Sequence, residues 1–486
     1  MVRRRGTAQR VNDDCLVSTS LSTALFTFSP RDIAIAQLQE RVRGSVLSPD
    51  HADFASATAA WVANTVHTPS LVVLAETAQD VVEAVKFARA HNLPVSVQAT
   101  GHGAVAPIDN GVLVNTSRML GYSIDPIAQT ARVEAGVKWA HIIEDLYKHG
   151  FAALNGSSTD VGIVGYTLGG GTGWFARKHG FAADQVVAFD IVTADGDLLH
   201  VTEESHPDLF WAVRGGGGNF GIVTALEFGL IELKDFFGGA VMYDLTEAPK
   251  VFNAYRTWVQ TLPETVTSSI AIMRMPPLPM IPEPLRGRAF ISIRALGPVT
   301  GSEFLIEPMR KLAEPIMDTY DYYPYTMIDL VSSDPVDPMP ETSASYLLND
   351  LTEATIDAVL DVAGAGKDFP VLMIEVRHID GAARKANVND ASANRHDVPW
   401  LVLALAVPFA PEVVPAIKAA HAELALALAP VDTGHLFTNF VMRTDDPVGL
   451  TRRSYSPGIY AWLQRVKKEW DPTNVFRFGR NIQPEA

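Results

Sequence analysis

Twelve of the 35 glycines fall into two short stretches, GSSTDVGIVGYTLGGGTG (156–173) and GGGGNFG (215–221). Glycine loses the most backbone freedom on folding and brings no side chain to pack, so regular elements do not tolerate that density. Both stretches are therefore read as loops that expose backbone N–H groups, the surface an anionic ligand such as a pyrophosphate requires. A third stretch, VSVQATGHGA (95–104), sets His102 between Gly101 and Gly103 directly after a short apolar strand. Glycines let a backbone come close to something, and an imidazole carries chemistry. On its own, however, a loop histidine is more often a satisfied turn residue.

At 486 residues the chain is too long for one ordinary core and suits two domains. A net charge of −16 and a pI near 5.2 argue against a nucleic-acid partner, which would need a positive face. Cys15 is the only cysteine, which excludes internal disulfides, thiolate metal clusters and a Cys-x-x-Cys redox centre. No apolar run reaches the ~20 residues that span a bilayer, so no membrane partner is expected. Residues 1–40 are read as a mobile N-terminal arm rather than a signal peptide, and a cytoplasmic location is expected.

Periodicity orders the remainder. Thr77 and Asp80 predict a capped helix carrying Val81, Val82, Val85 and Ala88 on one face, ended near Asn92 and Pro94. Val137 to His149 predicts another, with Gly150 as its C-terminal cap. VVAFDIVTADGDLLHVT predicts a hairpin turning at Asp195-Gly196. Beyond Leu230 glycine thins out, and apolar runs such as VLMIEVRHID and WLVLALAVPF alternate with proline-rich loops that are candidates for a substrate mouth. The mixture favours an α+β fold over a purely parallel sheet. Gly171-x-Gly173-x-x-Ala176 fits the loose dinucleotide fingerprint, but a broken loop stands where that motif needs an uninterrupted strand. Walker, HExxH, Cys/His and GxSxG patterns are missing, and no metal is expected.

The order of PVSVQATGHG, GSSTDVGIVGYTLGGGTGWFARKHGFAADQVVAFDIVTADG, DLFWAVRGGGGNFGIVTALEF and DPTNVFRFGRNI resembles the berberine bridge enzyme-like branch of the vanillyl-alcohol oxidase superfamily of flavoproteins. The likeness runs from about Arg41 to Ile482. It implies a two-domain PCMH-type FAD-binding fold. The FAD domain covers 41–236, an inserted substrate domain of antiparallel sheet backed by helices covers 237–439, and segment 440–486 completes the FAD domain. It also implies FAD bonded covalently to His102, with Gln98, Ala99, Thr100, Gly101 and Gly103 around the link. The second stretch would contribute Gly156, Ser157, Ser158, Val161, Gly162, Gly165, Leu168, Gly169, Gly170, Gly171 and Gly173. Gly221, Ile222 and Val223 follow from the third stretch, and Asn474 and Asn481 from the tail.

Four departures from the family pattern change what is expected, the first being Gln98 in place of the loop arginine, which removes a positive charge near the cofactor. Ser158 stands where many members carry a second, cysteinyl link, so a single histidyl link is expected. Val161 occupies the place where a small residue leaves room for oxygen, which favours an oxidase. Phe440, in FTNFVMR, replaces a tyrosine that many relatives use as base, and phenylalanine cannot take a proton. The base is therefore sought in EVRHIDG, where Glu375 and Arg377 share one strand face and His378 the other with Asp380. His378 oriented by Asp380 would suit general-base work near pH 7, the alternative being a structural pair at the strand end. Arg395 and His396 would orient a substrate oxygen, and Asn439 would remain as a polar group near the pocket. Tyr322, Tyr323 and Tyr325 could supply a phenol or simply pack.

The expected function is hydride transfer from a small-molecule alcohol or amine to flavin N5, followed by reduction of O2 to hydrogen peroxide. Alternatives are a dehydrogenase on the same scaffold, a nicotinamide-fed reductase, or a flavin-binding protein without turnover. Neither the substrate nor the oligomeric state follows from the sequence.

Overall fold

The computed structural model describes residues 30–104, 106–385, 392, 397–441 and 446–486. Arg395 and His396 lie outside the described residues.

The first half of the chain builds two sheets. Ser45–Leu47, Leu71–Leu74, Val112–Asn115 and Val95–Gln98 form a four-stranded sheet in that order, the last three strands parallel. LVVL at 71–74 is buried along its whole length, as a strand covered on both faces must be. Helix Ala78–Ala90 links it to the edge strand and opens with the capping box that Thr77 and Asp80 predict. Asp80, 1% exposed, also accepts the backbone N–H groups of Arg43 and Gly44, so a buried carboxylate is fully hydrogen-bonded. Helix Pro30–Arg41 places Leu38 in this core, so the segment expected as a mobile arm is structured from residue 30.

The second sheet runs Tyr122–Asp125, Thr130–Glu134, Ile222–Gly229, Val186–Val192 and Leu198–Val201, all antiparallel. Its last two strands are the predicted hairpin, with Gly196 at φ +82° in the turn. Helix Trp139–His149 packs Ile142, Ile143 and Leu146 into the same core. The C-terminal helix Pro457–Trp470 joins that core through Tyr460, Leu463 and Val466, so the chain leaves this domain and later returns to it.

Between departure and return lies an eight-stranded sheet spanning residues 235–406, antiparallel at every pairing. Ala248–Trp258, Glu353–Ala363 and Val414–Leu428 cover one face, burying Ile270, Ile272, Ile291, Ile293, Ile374 and Val376. The opposite face looks back at the glycine loops.

Candidate functional site

Between the glycine loops and the open face of the large sheet lies a cavity of about 1660 Å³. A site for one small ligand occupies roughly 300–1,000 Å³, so this chamber has room for two ligands end to end.

One wall is mostly backbone. Residues Gln98 to Gly103 line it, as do Gly156 to Ser158, Val161, Gly162, Gly165, Leu168, Gly169, Gly221 and Val223. At Gly101, φ is +80° and a Cβ would come within 2.6 Å of Ala60, so only glycine fits. At Gly165 a Cβ would meet nothing within 4 Å, leaving bare backbone towards the space. The loop 216–219 lines the cavity as well, more directly than Ile222, which is buried in the core instead.

Gly170, Gly171 and Gly173 lie outside the lining, a correction to their expected contact role. Gly171 donates its N–H to Asn439 Oδ1 at 2.8 Å, and a Cβ on Gly173 would strike the carbonyl of Asn155 at 1.9 Å. Gly171 and Gly173 serve close packing. Asn474 and Asn481 are likewise outside the lining; Phe476, Phe478, Gly479 and Arg480 line it from the tail. Asn219 holds that tail in place: its Nδ2 donates to Arg480 O at 2.9 Å, and its Oδ1 accepts from Ile482 N at 2.8 Å. Lys467, fully buried, donates to Asn219 O, Asp471 Oδ2 and Phe476 O, and burial pulls its ammonium down to about 8.

His102 faces the cavity with its ring stacked on Trp61, centroids 4.2 Å apart. Its Nε2 lies 3.3 Å from Asp160 Oδ2, while Lys138 Nζ holds the other oxygen at 2.6 Å. Burial lowers the imidazole below its ordinary range, with Asp160 opposing, so the ring is neutral at pH 7. The proton shared with Asp160 sits on Nε2, and Nδ1 keeps its lone pair. Ser158 Oγ accepts from Asp160 N at 3.2 Å. Gln98 does not front the cavity with its amide. His67 Nδ1 accepts from Ile108 N, so its Nε2–H donates to Gln98 Oε1 at 3.0 Å, and Gln98 Nε2 donates to Ala59 O.

The other wall is made of side chains. The strand Met373–His378 alternates, and Met373 and Arg377 reach the cavity while Ile374 and Val376 face the helices. His378 has the parity of Ile374 and Val376, so it points into the helix layer and away from the cavity. Its ring packs 4.8 Å from Trp400, Asp380 is 4.0 Å away, and Nδ1 has no partner among the described residues. Burial, with Arg177 nearby, pushes it down to about 3. The expected base therefore cannot reach a ligand in this chamber. Asn439 lines the cavity but spends its amide on Gly171 N and Tyr166 O, stitching the two walls together. Phe440 lines it 5.5 Å from the Arg377 guanidinium. None of the three tyrosines contributes to the lining: Tyr325 bonds Asn155, Tyr323 bonds Thr319 O and Tyr322 bonds Glu303.

The residues fit FAD. Glycine backbone without side chains, a neutral histidine beside it, and Arg480 with no carboxylate partner among the described residues suit a flat, negatively charged cofactor. Arg480, Trp61, Asp160 and Asp334 escaped the sequence reading. Asp160 lies within the glycine-rich stretch 156–173, whereas nothing local marks Trp61.

Fold and chamber together define a two-domain FAD-linked oxidoreductase, and comparison with known proteins agrees. The FAD binding domain family matches residues 69–202, and the berberine and berberine-like family matches residues 450–483. The chain thus carries both an FAD binding domain and a berberine-like C-terminal segment. It is 27% identical over 459 residues to (R)-6-hydroxynicotine oxidase of Paenarthrobacter nicotinovorans, covering 92% of this chain and 98% of that protein. The crystal structure of 6-hydroxy-D-nicotine oxidase from Arthrobacter nicotinovorans superposes with a TM-score of 0.79 at 25% identity, over 91% of this chain and 98% of that one. A chitooligosaccharide oxidase superposes equally well, at 0.79, over 93% of this chain and 100% of that one; at 19% identity it speaks to the fold alone.

Proposed function

We propose that the protein is an FAD oxidase acting on a small molecule whose oxidisable C–H bond adjoins a hydroxyl or an amine nitrogen, with O2 as acceptor and hydrogen peroxide as product. Bound FAD would supply the two-electron acceptor for hydride. The observation that carries this reading is the continuity of the cavity: backbone suited to a cofactor and side chains suited to a substrate share one chamber.

His102 would hold the cofactor through Nδ1, the nitrogen left free when Asp160 fixes the proton on Nε2. With Ser158 in place of a thiol, that link would be the only one. Arg480 would offset negative charge at the same wall. Asp334 lines the cavity, has no hydrogen bond or ion pair among the described residues, and takes the proton-accepting role expected of His378 when the substrate is an alcohol. Val161, also in the lining, would leave space for oxygen. That the similar 6-hydroxynicotine oxidase is an oxidase supports the choice of acceptor.

Acid precipitation of the purified protein tests the cofactor link. Yellow, fluorescent flavin should remain in the pellet and leave it in His102→Ala. Oxygen uptake that fails to exceed dye reduction in a substrate screen would refute the oxidase reading.

A further inference from the structure

The large sheet sets an arginine pair into an otherwise apolar floor. Arg294 and Arg377 both line the cavity. Between them Glu375, 1% exposed, takes Arg294 Nη1 at 3.3 Å and Arg377 Nε at 2.7 Å, with Ser269 Oγ donating at 2.8 Å. Burial pushes the Glu375 carboxyl up, but Arg377 and Arg294 together outweigh it and hold it below the usual carboxylate range. The cluster is thus two cations and one anion, and one positive charge is unmatched.

That surplus sits at the open edge of Arg377. Its Nε is pinned by Glu375, while Nη1 and Nη2 form no hydrogen bond among the described residues. Asp334, the other acid whose charge acts on Arg377, stands on the mouth loop and makes no ion pair with it. Tyr166, also facing Arg377, has its phenol raised by burial and stays neutral. Met273 and Met373 place their sulfurs 3.9 and 4.0 Å from the Arg294 guanidinium. Met242, Met317, Phe290 and Leu403 line the same chamber, and methionine adapts its shape to apolar ligands. The mouth continues that character, with Met280 76% and Phe409 78% exposed beside it. A fixed guanidinium edge matches two anionic oxygens, and an unmatched charge in apolar surroundings favours any anion that joins it.

We propose that the substrate is an apolar molecule bearing one anionic oxygen group, a carboxylate or a phenolate, received by the Nη edge of Arg377 with Arg294 beside it. This rests on the reading that the chamber holds cofactor and substrate together.

Calorimetric titration of the purified protein tests it, with 3-phenylpropionate against 3-phenylpropionamide and 4-nitrophenolate against 4-nitroanisole. At least one anion should bind about 10-fold tighter than its neutral counterpart, the scale of a hydrogen bond to a charged group. Preference in the first pair alone identifies a carboxylate, and in the second alone a phenolate. Arg377→Met should erase the preference. Arg377→Lys, which keeps the charge beside Glu375 and guards against misfolding, should retain only part of it. Equal binding within both pairs, or a preference that survives Arg377→Met, overturns the proposal. Flavin content measured on the same samples separates the two readings: colourless protein defeats the cofactor reading, while the titration still decides this one.

Discussion

The two walls of the cavity are built on opposite plans. Towards the glycine loops the surface is backbone, and its shape depends on where side chains are missing. Towards the large sheet it is side chain, and its chemistry depends on which face of each strand turns inward. The first wall is stripped for a ligand and adds little to the core. In the second, the groups that face the ligand are also tied into a buried ionic cluster. Substitutions should therefore separate binding from stability on one wall and couple them on the other.

The largest effect expected is on the sheet. Glu375→Leu strands Arg294 and Arg377 without their shared anion and should cost about 3–5 kcal/mol, read as a lowered denaturant midpoint. A loss under about 1 kcal/mol would mean that the cluster is solvated and that the contrast between the walls is false. On the loop wall, Gly165→Leu should leave stability unchanged, because a Cβ there meets nothing, yet cut the flavin content of the purified protein about 10-fold by filling the cofactor's space. Unfolding of this variant, or full flavin content in it, would remove the distinction.

A third test concerns His378, which folding holds down to about 3 against an ordinary value near 6.5. The unfolded chain takes up a proton below pH 6.5 that the folded chain refuses. Stability is thus lost as pH falls from 6.5 towards 3, by up to about 1.4 kcal/mol per pH unit. Urea titrations across that range should show the slope, and His378→Gln should flatten it. The smallest effect follows from the same position: turnover by His378→Gln at pH 7.5 should stay within about 2-fold of the parent. A drop near ~100-fold, the scale of lost general-base catalysis, would return His378 to the chemistry.

The contrast also explains what could be read from the sequence. Helix Ala78–Ala90 and the Asp195-Gly196 hairpin were legible because a cap and a turn are local, written in adjacent residues. The loop wall was legible because glycine is rare enough elsewhere for its clusters to stand out. Gly171 and Gly173 share the clusters but not the cavity, since backbone packing demands the same residue as ligand approach. The sheet wall was legible only as two alternatives. Period-two reading assigned Glu375 with Arg377 and His378 with Asp380, but which set faced inward depended on where the helices Ala248–Trp258, Glu353–Ala363 and Val414–Leu428 pack. Ile374 and Val376 held the missing signal, because two fully apolar neighbours of the same parity mark the helix-packed face. Pairing of His102 with Asp160 and Trp61 required the folded chain, as nothing in spacing joins them.

The tail held by Asn219 and Lys467 has a consequence for the order in which the protein is made. Arg480 stands over Gly103, with its Nη1 3.5 Å from where a Cβ there would lie, yet the two are far apart along the chain. During translation the His102 loop emerges early and its facing residue late. Until the ribosome has passed Arg480, a nascent chain can present only an open glycine surface. A chain ended before Arg480 would lack that face of the site and is expected to carry less flavin than the full one.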